Sequence, residues 1–213
     1  EVIPYAGGIC TMSPDMLFSI GDAEFAVELG EDLWAPIPSS SNHALLGAHI
    51  IVNLSADKEV LMRNEYRNEL LKVHSAKTIC GYVYASAGFG ESTCDNVYAG
   101  SASIWENGQK LAGNERFQLD SSLIIADIDV ERIENLRIKS ETFTSSPRAH
   151  LFNMANIEST PETDFEKALY RYVEPHPFAP EADLDRRCRE ILEIQSTGLA
   201  KRLSHIGCRT AIL

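Results

Sequence analysis

The chain has 213 residues, of which 44% are hydrophobic and 23% charged, a composition that predicts a soluble globular protein. Its 31 acidic and 19 basic residues give a net charge of −12, which disfavours nucleic acid and anionic membranes as partners. No apolar run approaches the roughly 20 residues of a membrane-spanning helix, and the first residues carry no secretion signal. We therefore expect a cytoplasmic protein.

Cysteines and histidines show no ligand pattern. The five cysteines are widely spread and contain no C-x-x-C pair, which is typical of reduced cytosolic thiols rather than a disulfide frame or a zinc site. The six histidines are also scattered, without two of them spaced for one face of a helix. The sequence therefore predicts no metal site.

The first part of the chain alternates strands and helices. Short β-branched and apolar segments predict strands over residues 24–29 and 48–54. Between them, serines followed by an apolar run and a glycine predict a short helix over 39–47. Apolar residues at three- and four-residue steps predict an amphipathic helix over 62–79, and a strand is predicted over 81–87.

A hairpin is predicted next. Strands over 101–105 and 109–112 are joined through an Asn-Gly pair, which supplies the positive φ angles of a type I′ turn. A further strand is predicted over 122–130 and a helix over 131–138. Strands mixed with helices and a hairpin predict an α/β fold with a mixed sheet.

The last third of the chain is less regular. Residues 139–163 are rich in Ser, Thr, Pro and Asn and predict an extended connector, followed by a short helix over 164–172. A long amphipathic helix is predicted over 182–205. Residues 209–213 indicate the opening of a buried strand, which needs neighbours, and Glu1 is not an initiator methionine. We therefore expect the chain to belong to a longer polypeptide on both sides.

One segment resembles a known family. Residues 28–40 (ELGEDLWAPIPSS) are similar to the E-x-C-E-D-L-W-x-P-x-P-P-S segment of the nitrilase-type carbon-nitrogen hydrolase domain of glutamine-dependent NAD synthetases. Further matches keep that family's order: Asn53 to Ala56, Arg63, Tyr66-Arg67, Gly81 to Tyr84, Gly88 to Thr93, Gly100, Asn107-Gly108, Arg116-Phe117, Asp127 to Asp129, Pro175 to Phe178, Ile194-Gln195 and Gly198 to Leu203. Because the shared order covers almost the whole chain, the resemblance is specific.

The resemblance implies part of a nitrilase-like α-β-β-α sandwich with a mixed sheet, an extended linker and a C-terminal helix. Residues 1–138 would be the C-terminal portion of a glutaminase domain, 139–181 the linker, and 182–213 the helix and first strand leading into a synthetase domain. Such enzymes hydrolyse glutamine and pass ammonia through a tunnel to a synthetase that amidates ATP-activated nicotinic acid adenine dinucleotide. The resemblance also implies a homo-oligomer. ATP and magnesium are expected in the missing synthetase domain, and no cofactor in this segment.

Glutamine hydrolysis through a covalent intermediate needs a thiolate, a base and a group that stabilises the oxyanion. By resemblance, the family's glutamate and lysine lie in the missing N-terminal portion, and its nucleophilic cysteine corresponds to Gly30. Glycine has no attacking atom, so we predict no glutaminase activity for this chain alone. Gly30 is an inactivating substitution, a naturally degenerate site or an error in the sequence record. Its strand-to-turn setting favours a tight turn with strained backbone.

Four acidic or basic residues are candidates for the rest of the site. Arg63 resembles the family's glutamine-recognition position, where a guanidinium pairs with the α-carboxylate; the alternative is a solvated arginine at a helix start. Asp57 stands where many members place a serine that touches glutamine, and a carboxylate there would bind the α-amino group. Glu31 follows the nucleophile position beside Asp32, where structural hydrogen bonding is favoured over acid/base work. Glu91 would orient the site or cap a turn.

Two functions of different class follow. The first is a fragment of glutamine-dependent NAD synthetase, and the second is a degenerate nitrilase-like scaffold with a structural or assembly role. Another carbon-nitrogen hydrolase, such as an amidase, is disfavoured by the Pro-His-Pro-Phe connector and the helix that follows it. A serine- and glycine-rich nucleotide loop beyond Leu213 would separate the first two functions.

Overall fold

A computed structural model describes the following residues of the chain: 2–91, 96–147, 153–157, 169–175, 183–207 and 210. The chain divides into two units, Glu1–Arg171 and Tyr172–Leu213. No helix in these described ranges combines the length and apolar character that crossing a membrane requires.

The first unit is built on a mixed sheet. Its strands are β1 (Val2–Tyr5), β2 (Gly8–Thr11), β3 (Met16–Ile20), β4 (Ala23–Leu29), β5 (Ile50–Ser55), β6 (Gly81–Ser86), β7 (Ala102–Glu106), β8 (Gln109–Gly113) and β9 (Asn153–Asn156). β1 and β2 pair with each other, and the other strands form a seven-stranded sheet in the order β8-β7-β6-β5-β4-β3-β9. β4, β5 and β6 are parallel neighbours, whereas β3 and β7 run antiparallel to β4 and β6.

Helices cover one face of this sheet. The helices of the first unit are the 3₁₀ helix Gly30–Trp34, α1 (Ser39–Leu46), α2 (Arg63–Thr78), α3 (Val130–Lys139) and α4 (Glu141–Thr144). The second unit, taken by itself, contains α5 (Leu184–His205). α1 packs against β4 and β5, and α2 against β6 and β7. The Asp129 side chain accepts a hydrogen bond from the Arg132 amide and so caps the start of α3.

The core lies between the sheet and these helices. Because side chains alternate along a strand, every second residue points towards α1 and α2. The buried cluster comprises Leu17, Ala26, Leu33, Ala48, Ile51, Leu71, Cys80, Tyr82, Tyr84 and Trp105. Residues at the intervening positions, such as Phe25, Val52 and Val83, are only half-buried. In the first unit, the sheet face that packs against α1 and α2 is therefore buried, whereas the opposite face is only half-buried.

Most predicted elements are confirmed. The strands over 24–29, 48–54 and 81–87 are β4, β5 and β6 within one or two residues. The helices over 39–47, 62–79, 131–138 and 182–205 are α1, α2, α3 and α5, and the predicted hairpin is β7 and β8. Strands β1, β2 and β3 and the 3₁₀ helix were not predicted.

The strand predicted over 122–130 is wrong. Residues 121–129 have no regular structure, although they are apolar enough for a strand. Their polar groups bond outside any ladder: the Asp127 carboxylate accepts a hydrogen bond from the Tyr170 amide at 2.6 Å, and Asp129 caps α3. Aspartate oxygens compete with strand pairing in this way, so the apolar pattern does not produce a strand.

The segment predicted as an extended connector over 139–163 contains structure. It holds α4 and β9, and β9 pairs in parallel with β3, with Leu17 opposite Met154. The prediction failed because β9 is stabilised by a partner more than 130 residues earlier, which a local pattern does not reveal. Residues 164–168 of the predicted short helix lie outside the described residues, and residues 169–172 are not helical. The predicted strand over 209–213 lies outside them except for Thr210. The proposed domain boundaries stay a prediction.

A buried carboxylate, Glu106, lies at the end of β7 in the first unit. The side chain of Glu106 is 1% exposed and accepts two hydrogen bonds from Arg171, at 2.6 and 2.7 Å. It also accepts hydrogen bonds from the Asp129 amide at 2.8 Å and from Arg132 at 3.2 Å. Glu106 therefore joins β7 to the start of α3 and to Arg171.

Glu106→Gln should lower the free energy of unfolding by about 2–3 kcal/mol, because it leaves the Arg171 guanidinium without its charged acceptor. Urea unfolding followed by circular dichroism measures the change. Glu115→Gln, in an exposed loop, is the matched control and should stay within about 0.5 kcal/mol of the unchanged protein. Equal effects of the two substitutions would contradict the assignment.

Candidate functional site

The predicted site residues follow three neighbouring parallel strands. Gly30 comes directly after β4, Asp57 follows β5 by two residues, and Glu91 lies in the loop beyond β6. Because the strands are parallel, their carboxyl ends meet at one edge of the sheet, where ligands bind in open α/β sheets. Hydrogen bonds tie the β5 and β6 loops together, from the Ala87 amide to the Ser55 carbonyl at 2.9 Å and from the Asp57 amide to the Ser86 hydroxyl at 3.3 Å.

Gly30 forms the expected tight turn. Its φ is +51°, and it begins the 3₁₀ helix that ends at Trp34. The Asp32 carboxylate accepts a hydrogen bond from the Leu29 amide at 3.2 Å and closes the turn, as predicted for a structural role. A Cβ atom built on Gly30 would meet no atom within 4 Å. A side chain therefore has room at this position, at a backbone cost of about 1–2 kcal/mol.

Arg63 and Asp57 pair with each other. The Nε of Arg63 lies 2.8 Å from an Asp57 carboxylate oxygen, and the guanidinium carbon lies 4.1 Å from the centre of the Trp34 ring. Trp34 closes the 3₁₀ helix that Gly30 opens, so Arg63 is connected to the Gly30 turn through one side chain. Arg63 begins α2, yet it is held by two partners rather than simply solvated. Its role in glutamine binding stays a prediction.

Arg67 is a site residue that the sequence reasoning missed. Its side chain is 1% exposed, and it donates to Asp57 at 3.0 Å, to Glu59 at 2.9 Å and to Ser101 at 2.8 Å. Arg116 reaches the other oxygen of Glu59 at 3.2 Å. The sequence carried a signal for this cluster. Arg63 and Arg67 are four residues apart and so share one face of α2. Two acidic residues, Asp57 and Glu59, lie in the short loop before this helix.

Glu31 and Glu91 are exposed side chains. Glu31 lies on the 3₁₀ helix beside Gly30, and Glu91 lies in the loop after β6. Neither side chain makes a hydrogen bond or ion pair with the part of the chain that the structure describes. The Glu91 amide donates to the Gly88 carbonyl at 3.3 Å, which is a turn contact of its backbone. Their roles in the site stay predictions.

A second polar network lies beneath the turn. Glu28 is 2% exposed and accepts hydrogen bonds from the Ser40 amide at 3.0 Å, from Asn53 at 3.2 Å and from the Tyr82 hydroxyl. Burial, and then the adjacent Glu28 carboxylate, raises the pKa of Tyr82, which keeps its proton for this bond. The His74 ring nitrogen lies 2.8 Å from the Ser40 hydroxyl. Glu28 thus fixes the end of β4 and the start of α1, two residues before Gly30.

Within the described ranges, the first unit shows neither a metal cluster nor a reactive buried thiol. Among the described residues, no group of three or more His, Cys, Asp or Glu side chains is placed to hold a metal ion. Burial raises the pKa of the Cys80 thiol to about 11, although a hydrogen bond with Thr78 acts in the opposite direction. Cys80 is therefore a protonated core thiol and not a nucleophile.

Comparison with known proteins gives the family. No family model matches the chain. It is 37% identical to the glutamine-dependent NAD(+) synthetase of Mycobacterium leprae over 89% of its own length, and equally identical to that of Mycobacterium tuberculosis over 94%. The chain belongs to the glutamine-dependent NAD(+) synthetase family. It spans 29% and 31% of the length of these two relatives.

A solved structure supports the fold. A carbon-nitrogen hydrolase from Helicobacter pylori matches 59% of this chain and 46% of its own, with a TM-score of 0.50 and 18% identity. At this identity the likeness concerns the fold alone. It confirms the predicted fold class, in which a mixed α/β sheet resembles that of carbon-nitrogen hydrolases.

His74 makes stability depend on pH. Burial lowers the pKa of His74, and Lys77 adds to this effect while Glu28 opposes it. Below the unfolded value of about 6.5, the unfolded chain takes up a proton that the folded ring does not. The free energy of unfolding should therefore decrease as the pH is lowered below about 6.5, by at most about 1.4 kcal/mol per pH unit for this residue.

His74→Gln should reduce this loss by up to about 1.4 kcal/mol between about pH 7.5 and about pH 5.5, as urea unfolding at the two pH values would show. His205→Gln, on the exposed face of α5, is the control and should leave the pH dependence unchanged. His49, whose pKa is also lowered by burial, contributes the remainder. An unchanged slope in His74→Gln would refute the assignment.

Proposed function

We propose that the chain is the C-terminal portion of the glutaminase domain of a glutamine-dependent NAD(+) synthetase, and that as written it does not hydrolyse glutamine. One observation carries this proposal. In a chain 37% identical to such synthetases, the turn at the carboxyl end of β4 places glycine, with open space above it, where the family resemblance puts the nucleophilic cysteine. A linker would follow β9, and residues 182–213 would be the approach to the synthetase domain.

The chemistry that Gly30 lacks is specific. A cysteine thiolate at this position would attack the carboxamide carbon of glutamine, and the amide nitrogen would leave as ammonia after gaining a proton. The resulting γ-glutamyl thioester would be hydrolysed by water to glutamate and the free thiol. Gly30 has no atom to form the first bond, and the buried Cys80 thiol does not replace it.

The remaining parts of the proposal concern the longer protein. Glutamine would bind with its α-carboxylate at Arg63, at the same edge as Gly30. Ammonia would pass to a synthetase portion that amidates nicotinic acid adenine dinucleotide with ATP and magnesium, in a cytoplasmic homo-oligomer. The names of the relatives, which specify glutamine dependence and NAD(+) synthesis, support this assignment.

A degenerate scaffold is the second candidate function. The observation that favours it is that the turn at Gly30 keeps its hydrogen bond to Asp32 and its contact through Trp34 to Arg63 without any nucleophile. The fold at this edge therefore does not depend on the chemistry. A scaffold of this kind would bind or assemble with the rest of the enzyme but would contribute no ammonia.

Gly30→Cys, made in the longest polypeptide in which the chain is encoded, should produce glutamate from glutamine at a rate roughly 100-fold or more above background. The open space at Gly30 accommodates the side chain, and the strained φ should cost no more than about 1–2 kcal/mol of stability. Glutamate release is measured with and without ATP.

Gly30→Ala is the matched control, because it carries the same backbone strain without a thiol and should remain inactive. NAD formation from free ammonia should be present in all three forms, since it does not need the nucleophile. If the cysteine variant folds, forms NAD from ammonia and releases no more glutamate than the alanine variant, position 30 is not the nucleophile position. If no form makes NAD, the scaffold function is favoured.

A further inference from the structure

Asp57 is enclosed between two arginines. Its side chain is 4% exposed, one carboxylate oxygen accepts from Arg63 Nε at 2.8 Å, and the other accepts from Arg67 at 3.0 Å. Arg67 is itself fixed by Glu59 and Ser101. Both carboxylate oxygens of Asp57 are therefore engaged by guanidinium groups, and little of the side chain is exposed to a ligand.

Arg63 keeps an open edge. Asp57 engages only its Nε, and the face of the guanidinium lies over Trp34. Its two terminal nitrogens make no hydrogen bond to the residues that the structure describes, and its side chain is 27% exposed. Two adjacent N–H donors in one plane form the fork that binds a carboxylate with two parallel hydrogen bonds.

From this geometry we infer that Asp57 is a positioning residue, which holds Arg63 so that its terminal nitrogens receive the α-carboxylate of the ligand. The inference rests on the proposed function, because it concerns the same glutamine site. Asp57 fixes the Nε side, Trp34 fixes the plane, and Arg67 fixes Asp57. Arg63 is thereby pre-ordered, so less side-chain entropy is lost when a ligand binds.

The local charge remains favourable for an anion. The network joins three guanidinium groups, Arg63, Arg67 and Arg116, to two carboxylates, Asp57 and Glu59, which leaves one positive charge. Asp57 therefore does not remove the positive charge that would attract the ligand carboxylate. It also does not occupy the place of the ligand carboxylate, because its second oxygen points to Arg67 and not to the open fork of Arg63.

Calorimetric titration of the longest encoded polypeptide with two ligands tests this assignment. L-glutamine carries the α-carboxylate, whereas 4-aminobutanamide has the same carboxamide and amine without it. Arg63→Gln and Asp57→Asn should each weaken L-glutamine binding by roughly tenfold, equal to the loss of one charged hydrogen bond. Binding of 4-aminobutanamide should change by less than about twofold in both variants. Asp22→Asn, in an exposed turn, is the control and should leave both affinities unchanged.

A purely structural role for Asp57 would lower the affinity for both ligands equally, and that result overturns the inference. An Asp57→Asn variant that binds L-glutamine more tightly, or as tightly as the unchanged protein, overturns it as well, while sensitivity to Arg63→Gln would leave the glutamine site standing. No binding of L-glutamine by the unchanged protein ends both proposals. If Asp57→Asn does not fold, Asp57→Glu keeps the charge but displaces it by one methylene and should show the same selective loss.

Discussion

The buried guanidinium of Arg67 is the contact on which the candidate site depends. It draws the loop after β5, the first turns of α2 and the start of β7 into one cluster through Asp57, Glu59 and Ser101. A charge that is 1% exposed is costly unless it is fully paired, and its two carboxylate partners, Asp57 and Glu59, are only 4% and 8% exposed. Removing both carboxylates would leave a buried charge without compensation, so Asp57 and Glu59 together hold the Arg67 guanidinium in place. Arg63 is held in position by this cluster through its ion pair with Asp57.

The Gly30 turn is held from two sides. On one side, Glu28 anchors the end of β4 to the first residues of α1, where the amide groups at a helix start favour a negative charge. On the other side, Trp34 closes the 3₁₀ helix against Arg63. Neither contact involves the side chain at position 30. The architecture around position 30 therefore does not depend on which side chain stands there.

The two networks differ in how readily a sequence reveals them. Arg63 and Asp57 were found because they stand at family positions, but the sequence did not reveal that Asp57 pairs with both Arg63 and Arg67. Glu28 and Tyr82 are 54 residues apart, and Arg116 and Glu59 are 57 apart. Pairs this distant are joined only when the strands that carry them are placed side by side, and no local pattern encodes that placement.

The sequence by itself determined the elements with strong periodicity, the hairpin with its Asn-Gly turn, the family, and the tight turn at Gly30. These features depend on side-chain spacing within one segment, which local physics decides. Only the tertiary structure decided that residues 121–129 form no strand, that β9 joins the sheet beside β3, and that Arg67 and Glu28 are buried and paired. Each of these depends on partners far away in the chain, because a strand or a buried charge is stable only when another segment supplies its hydrogen bonds.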